Sequence, residues 1–173
     1  SIIDKKELKI KPFQLAKKIE HKNKPSFTIE NELPIAANEL MEYLSNFNYR
    51  KYWVDEVEFQ FDINQVNRVG TEHVCVIKDK HLNFTTITKK GKPGQLIYGE
   101  MTTTPKPIDA LYQYQIITPI NSTTCRLVTE AYIEAKSPIK KLLVFLFIKN
   151  AFKKGATEAM QKLKNFVVSQ SNL

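Results

Sequence analysis

The stretch that decides the fold is the last one, Ser137–Val168, which reads SPIKKLLVFLFIKNAFKKGATEAMQKLKNFVV. Ser137 and Pro138 predict a helix start, because Ser caps free first-turn amides and Pro at the first helical position forfeits no hydrogen bond. Apolar residues then recur three or four positions apart, as one buried helix face requires. They are Phe145, Ile148, Phe152, Ala156, Ala159, Leu163, Phe166 and Val167. The sequence therefore predicts one long amphipathic helix.

Upstream of this helix, short strand-like segments alternate with turn residues. The first strand starts at Ser26 and ends at Leu33, before Pro34. A compact helix, Ala36–Ser45, and one further turn, Tyr49–Trp53, follow it. Gly, Pro and Asn in the short connections between the later strands favour an antiparallel meander. Those six strands are predicted at Val57–Asp62, Gly70–Ile77, Asn83–Lys89, Gln95–Thr102, Ile108–Thr118 and Thr123–Glu134. The predicted class is α+β: a seven-stranded antiparallel sheet wrapped around the C-terminal helix, which alone is large enough to cover it.

Basic residues are concentrated at the two ends of the chain. Of the 173 residues, positions 1–25 hold eight Lys against three acidic residues, and positions 136–173 hold eight Lys against Glu158 alone. We interpret residues 1–25 as a basic linker or N-terminal arm and residues 26–173 as one domain. A basic surface attracts anionic partners. Because the arm offers one aromatic residue, Phe13, for base stacking, we expect no nucleic-acid partner.

Motif searches exclude several function classes. Cys75 and Cys125 are too few and too far apart for a disulfide framework or a metal site, which favours a reducing, cytoplasmic setting. No apolar run is long enough for a membrane span. Phosphate-binding loops, zinc-protease motifs and nucleophile elbows do not occur, so we expect neither a metal nor a cofactor.

The order of these elements resembles the helix-grip fold of the START and birch-pollen-allergen superfamily, also called SRPBCC, which includes polyketide cyclase/dehydratase-like proteins. The resemblance covers about residues 26–170 and rests on the sequential order of five features. These are the first strand ending at Leu33-Pro34, the helix Ala36–Ser45, Trp53 before a strand, Arg68-Val69-Gly70-Thr71, and Ser137-Pro138. The segment Gly70–Cys75 also looks like an SRPBCC domain found behind a nucleotidyl-cyclase-like domain in some bacterial proteins.

The resemblance implies a deep cavity between sheet and helix that takes lipids, sterols, polyketides or other apolar molecules. It favours non-catalytic binding of a hydrophobic small molecule or lipid. Some members of the superfamily are enzymes, so a cyclase/dehydratase-like activity is the alternative. Other members activate a heat-shock chaperone ATPase, so a protein-interaction module is the third hypothesis.

Strand periodicity selects the residues that we expect in this cavity. On Gly70–Ile77 the resemblance and the polarity of Glu72 favour an inward direction for Thr71, His73, Cys75 and Ile77, which share one face of the strand. For His73, a hydrogen-bonded core or cavity residue is preferred over catalysis or metal binding, since no further ligand or base is at hand. The other expected cavity residues are Trp53, Tyr112, Tyr114, Leu127, Thr129, Phe145, Ile148 and Phe152. Ordinary cross-strand packing is the simpler explanation for the two Tyr residues.

The segment Leu142–Ile148 is apolar all round, with Lys residues on both sides. A helix of this kind is either buried on all sides or meets another apolar surface. If Phe145, Ile148 and Phe152 face the sheet, Leu143 and Phe147 project away from it, with Lys140 close by. We therefore expect a homodimer interface or a peripheral membrane contact there.

Overall fold

The computed structural model describes residues 19–54, 57–60, 70, 72–77 and 80–173. Strands and helices follow the predicted order, with two short helices after the first strand and a long helix at the end. The elements are β1 Phe27–Leu33, α1 Ala37–Ser45, α2 Phe47–Arg50, β2 Val57–Gln60, β3 Glu72–Ile77, β4 Lys80–Ile87, β5 Leu96–Thr102, β6 Ala110–Pro119, β7 Cys125–Glu134, α3 Pro138–Leu143, a π-helical turn Val144–Ile148, and α4 Lys149–Ser171.

The seven strands form one antiparallel sheet in the order β1-β7-β6-β5-β4-β3-β2. Strands β2 to β7 are a meander, and β1 pairs with β7, where Phe27 lies opposite Ala131. The prediction of a seven-stranded antiparallel sheet is confirmed. Among the described residues, the largest difference in a strand boundary is at β4, which begins at Lys80 instead of Asn83, since Lys80 already pairs with Ile77 of β3.

The C-terminal helix runs without interruption over residues 138–171. Its predicted start is confirmed, since the Ser137 side chain accepts a hydrogen bond from the Lys140 backbone amide at 3.2 Å. The π-helical turn between α3 and α4 was not predicted. Among the described residues, no helix combines the length and the apolar composition required to cross a membrane.

The π-helical turn changes which side chains face the sheet. Such a turn inserts one residue and rotates everything before it by about 100° relative to a regular helix. Leu143 and Val144 are half-buried, whereas Phe145 is 69% exposed. The prediction that Phe145 faces the sheet while Leu143 points away is wrong. Phe147 is exposed, in the direction that the sequence predicts.

The main core fills the space between the sheet, α1 and the second half of α4. Leu40 and Leu44 of α1 pack with Leu163 and Val167 of α4, and all four are fully or almost fully buried. Burying each such side chain stabilises the fold by roughly 1.5–3 kcal/mol. Side chains therefore fill the space between the sheet and the helices at this end of the domain.

The opposite face of the sheet is also covered. Tyr114 is fully buried there, and Ile19 and His21 of the N-terminal segment pack over it. The His21 ring stacks on Tyr132 at a centroid distance of 3.8 Å and forms a 2.6 Å hydrogen bond to the Tyr114 hydroxyl. Tyr112 belongs to the same cluster. The prediction that Tyr112 and Tyr114 line a cavity under the helix is therefore wrong.

A glycine makes room for this cluster. A Cβ added at Gly99 would lie 2.7 Å from Tyr114 Cδ1 and 2.9 Å from the Ile87 carbonyl oxygen. The Tyr114 ring can therefore approach β5 this closely only because position 99 has no side chain.

Candidate ligand cavity

A cavity of about 330 Å³ lies between the sheet and the first half of α4. Strands β1, β4, β5 and β6 form one wall, the end of α2 forms one side, and α4 forms the other wall. The residues that line it are Phe27, Arg50, Trp53, Val54, Phe84, Tyr98, Glu100, Leu111, Gln113, Gln115, Ala151, Phe152, Gly155, Ala156 and Ala159. Most of them are apolar, and the polar ones come from α2, β5 and β6.

Small residues on α4 create this space. Four of the five α4 residues that line the cavity are Ala or Gly, whereas the next turns present Met160, Leu163 and Val167 to the core. A helix held at a fixed distance by large side chains at one end leaves a gap where its side chains are short. Ala151 and Gly155 are themselves exposed, so the cavity reaches solvent beside α4.

An ion pair stands on the polar wall. Arg50 donates a hydrogen bond through Nη2 to Glu100 Oε1, and the Tyr98 hydroxyl donates to the same oxygen at 2.6 Å. Arg50 Nη2 also lies 3.2 Å from the Tyr98 hydroxyl oxygen and donates to the Leu44 carbonyl oxygen at 3.3 Å. These bonds fix the Glu100 carboxylate on the wall of an otherwise apolar space.

Local structure explains why Arg50 points inward. Asn46 caps α2 by accepting a hydrogen bond from the Asn48 amide at 3.0 Å, which turns the chain into a single helical turn that ends at Arg50. The guanidinium carbon then lies 4.8 Å from the Trp53 ring centroid and 5.5 Å from that of Phe47. Aromatic faces of this kind stabilise a cation that has been removed from water.

The charges in this cluster are set by burial and by the ion pair. Burial alone would raise the pKa of Glu100, but the Arg50 charge and hydrogen bond, with help from Tyr98, outweigh it and hold that pKa below its usual value. His73 Nε2 lies 3.8 Å from Glu100 Oε1, and burial lowers the pKa of His73 despite the nearby carboxylate. At neutral pH the cluster therefore holds one positive and one negative charge, beside a neutral His73.

A second polar pair continues the wall on β6 and β7. The buried Thr129 hydroxyl donates to Gln115 Oε1 at 2.6 Å, and Gln115 lines the cavity together with Gln113. This bond satisfies one polar atom of a buried amide side chain, so the β6 wall adds directional groups without an unpaired charge.

The structure brings some of the sequence-predicted residues together and separates others. Trp53 and Phe152 line the cavity on opposite sides. His73 is buried between the Phe47 and Phe84 rings behind Glu100, and Thr129 lies behind Gln115. The remaining predicted residues do not line the cavity within the described part of the chain.

Each of those has a physical reason for its position. Leu127 is buried in the solid core near α1, and Ile148 lies half-buried one turn before the cavity-lining part of α4. Lys140, expected on a partner surface, pairs instead with Asp109 at 2.8 Å. Thr71 and the side chain of Cys75 lie outside the described residues.

Sequence reasoning missed the ion pair of Arg50 and Glu100. Strand periodicity places Tyr98 and Glu100 on one face of β5, but Ile97 and Met101 on the other face look equally core-forming. The available signal was the aromatic segment 47–53, which holds two basic residues, Arg50 and Lys51, before Trp53. A cation at such a place needs a buried acid as partner.

Comparison with solved structures identifies the architecture. A START superfamily protein from Mycobacterium smegmatis superposes with a TM-score of 0.61 and 14% identity, over 83% of this chain and 97% of that one. A point mutant of norcoclaurine synthase from Thalictrum flavum, in complex with a transition-state analogue, superposes with a TM-score of 0.59 and 9% identity. The match covers 84% of this chain and 94% of that one. The di-domain ARO/CYC protein BexL of the BE-7585A biosynthetic pathway superposes with a TM-score of 0.66 and 10% identity. The match covers 85% of this chain and 47% of that one.

These similarities confirm the helix-grip fold that the sequence predicts, which START, norcoclaurine synthase and polyketide cyclase structures share. At such low identity they establish the fold and not an activity. No protein-family model matches the chain, and a search of curated proteins finds no match.

Proposed function

We propose that this domain binds a hydrophobic small molecule or lipid in the cavity under α4 and does not transform it. The observation that supports this most is a mainly apolar space of about 330 Å³, at the lower end of the size range of small-molecule sites. Its polar groups are concentrated around one carboxylate, as in sites that orient one end of an apolar ligand.

The chemistry of Glu100 narrows the ligand class. Within the described part of the chain, every hydrogen bond to this side chain reaches Oε1, which leaves Oε2 for a ligand. An ionised carboxylate only accepts hydrogen bonds, so the polar end of the ligand must be a donor. Because Arg50 already balances the charge, a neutral hydroxyl fits better than an ammonium group or a carboxylate.

Displacement of a neutral fluorescent probe, Nile red, tests this ligand class. We expect 1-decanol to displace the probe from the wild-type protein at concentrations at least about tenfold lower than decanoate, a difference of roughly 1.4 kcal/mol. In Glu100→Gln the Arg50 charge loses its partner, so decanoate should gain on 1-decanol and the preference should invert.

Glu130→Gln is the matched control, because Glu130, like Glu100, pairs with a basic residue, here Lys89, but on the opposite face of the sheet. It should keep the wild-type preference. Equal displacement by alcohol and carboxylate in the wild type would contradict the role of Glu100. Failure of the protein to bind Nile red at all would contradict the cavity function itself.

A cyclase/dehydratase-like enzyme is the second candidate, because Glu100 lines the cavity and His73 Nε2 lies 3.8 Å from its Oε1. Two features weigh against it. The low pKa of Glu100 makes that carboxylate a weak base, and His73 is buried behind it rather than facing the cavity. Chromatography and mass spectrometry of the ligand released from the protein separate the two functions: a binder returns an added ligand unchanged, whereas an enzyme returns a cyclised or dehydrated product with a different retention time or mass.

A protein-interaction module, such as an activator of a chaperone ATPase, was the third hypothesis. It predicts a cavity filled by the side chains of the domain itself. The open space beside Ala151, Gly155 and Ala156 supports binding of a ligand instead.

A further inference from the structure

The first half of the C-terminal helix presents a row of large apolar side chains to solvent. The exposed fractions are 74% for Ile139, 56% for Leu142, 69% for Phe145, 48% for Leu146 and 65% for Phe147. We call these five residues the apolar stripe. Single exposed apolar residues are ordinary on protein surfaces, but contiguous groups of this size mark contact sites.

The local backbone gathers the stripe onto the outer side of the helix. Ile139, Leu142 and Leu146 follow one another at helical spacing, and the π-helical turn Val144–Ile148 adds Phe145 and Phe147 beside them. Without the inserted residue, Phe145 would turn toward the sheet. Turns of this type occur frequently at functional sites.

The surroundings of the stripe are basic. No acidic residue occurs between Glu134 and Glu158, whereas six Lys residues do. Lys140 is held by Asp109, which faces it from the loop before β6. In the part of the chain that the structure describes, no ion pair engages the others near the stripe, namely Lys141, Lys149, Lys153 and Lys154.

Aromatic and basic groups are also in direct contact. The Lys149 ammonium lies 5.8 Å from the centroid of the Phe145 ring. An exposed aromatic row bordered by lysines is the arrangement by which interfacial helices insert into a lipid headgroup layer.

We propose that the apolar stripe docks the domain on the surface of an anionic membrane. Phe145, Phe147 and the aliphatic residues enter the boundary between headgroups and acyl chains, and the lysines contact lipid phosphates and carboxylates. This membrane proposal rests on the exposure and the charge of the helix, so it does not depend on the proposed ligand.

A second copy of the chain fits this surface less well. A twofold dimer would bring the same patch against itself. Lys141, Lys149, Lys153 and Lys154 of one copy would then approach the same four residues of the other, with no acidic residue of the helix available to separate them before Glu158. Like charges brought together in this way oppose association.

The position of the stripe also relates it to the cavity. Phe147 precedes Ala151 by one helical turn, and Ala151 and Phe152 line the cavity where it reaches solvent. Docking through the stripe would therefore bring the cavity opening close to the lipid.

Vesicle co-sedimentation of the full chain tests the proposal. The probes are phosphatidylcholine vesicles with and without about 30% phosphatidylserine, at low and high salt. We expect binding to the anionic vesicles only, with a loss at high salt because exposed charges are screened within about 10 Å at 0.1 M salt. No binding to either type of vesicle would overturn the proposal.

Two sets of variants locate the surface. Phe145→Ser with Phe147→Ser should weaken binding to anionic vesicles by about 100-fold, because two large rings no longer leave water. Ile120→Ser with Leu173→Ser is the matched control, since both residues are exposed but lie outside the helix segment concerned, and it should bind normally. Undiminished binding by the stripe variant would overturn the assignment.

Substitution of the lysines near the stripe tests the membrane proposal even if the double Phe variant does not fold. Lys141→Gln, Lys153→Gln and Lys154→Gln together should lower binding about tenfold or more, while Lys90→Gln with Lys92→Gln should not. Sedimentation velocity supplies the remaining outcome. A wild-type dimer that becomes monomeric in the stripe variant, with no vesicle binding, would show that a second copy covers the stripe.

Discussion

Replacing Arg50 with Met should destabilise the folded protein by about 3–5 kcal/mol, because it leaves the Glu100 carboxylate buried without an opposite charge. Arg50 is 5% exposed and bonds to Glu100, Tyr98 and the Leu44 carbonyl. Met has an unbranched side chain that packs against the same aromatic rings, so the electrostatic loss outweighs the packing loss. For a chain of this length, the melting temperature should fall by about 6–20 °C.

Urea denaturation at pH 7, followed by circular dichroism, measures this effect in a double-mutant cycle. Glu100→Gln alone should also destabilise the protein, because it leaves the guanidinium unpaired. The combined variant Arg50→Met/Glu100→Gln should recover much of the loss, since a buried ion pair replaced by neutral groups costs little. Lys51→Met, the exposed neighbour, is the control and should change stability by less than about 0.5 kcal/mol.

The pH dependence of Arg50→Met provides a check with a definite sign. Without the guanidinium, burial becomes the dominant influence on Glu100 and should raise its pKa above the unfolded value. A carboxyl group with a raised folded pKa contributes less stability as pH rises, so relative to the wild type the variant should become more stable as pH falls from 7 toward 4.5. If Arg50→Met lowers the free energy of unfolding by less than about 1 kcal/mol at pH 7, or if the two single substitutions are additive, Arg50 does not stabilise the fold by pairing with Glu100.

Two further outcomes follow from other parts of the structure. Gly99→Ala should destabilise the protein by about 1–3 kcal/mol through the clash with Tyr114, whereas Gly155→Ala, whose added methyl meets nothing within 4 Å, should stabilise it by about 0.5–1 kcal/mol. Burial lowers the pKa of both His21 and His73 below 6.5, so the stability that they contribute should be present at pH 7.5 and decline as pH falls toward 5.5. Urea midpoints measure the effects of the glycine substitutions and of pH. A stability that stays constant or rises on acidification would contradict the prediction for the two His residues.

The architecture could be predicted because each element carries a local signal. Ser137-Pro138 marks the start of the long helix, and turn residues separate strands whose short connections permit only antiparallel neighbours. These signals depend on near neighbours in the chain, so no knowledge of the tertiary structure is needed to interpret them.

The face of each strand could not be predicted where both faces are buried. On β6, Tyr114, Gln115, Ile116 and Ile117 are all buried, because α4 lies over one face and the segment containing His21 over the other. A period of two then carries no inside-outside information. The Tyr residues were therefore assigned to the wrong face.

The helix face before residue 149 was misjudged for a different reason. The π-helical turn Val144–Ile148 shifts the register by one residue, and a run of seven apolar residues gives no contrast from which to detect the shift. The ion pair of Arg50 and Glu100 was missed because its members are 50 positions apart, and only the folded chain brings them together.

Native mass spectrometry of the full chain tests whether the space under α4 holds a hydrophobic ligand. The wild-type protein, purified or loaded with 1-decanol, should carry a non-covalent adduct that organic solvent releases. Ala156→Trp, which places an indole in the cavity of about 330 Å³, should fold without the adduct, while Glu158→Trp on the exposed side of α4 should keep it. A wild type without any adduct would contradict ligand binding by this domain. An Ala156→Trp variant that carries as much ligand as the wild type would contradict binding in the cavity under α4.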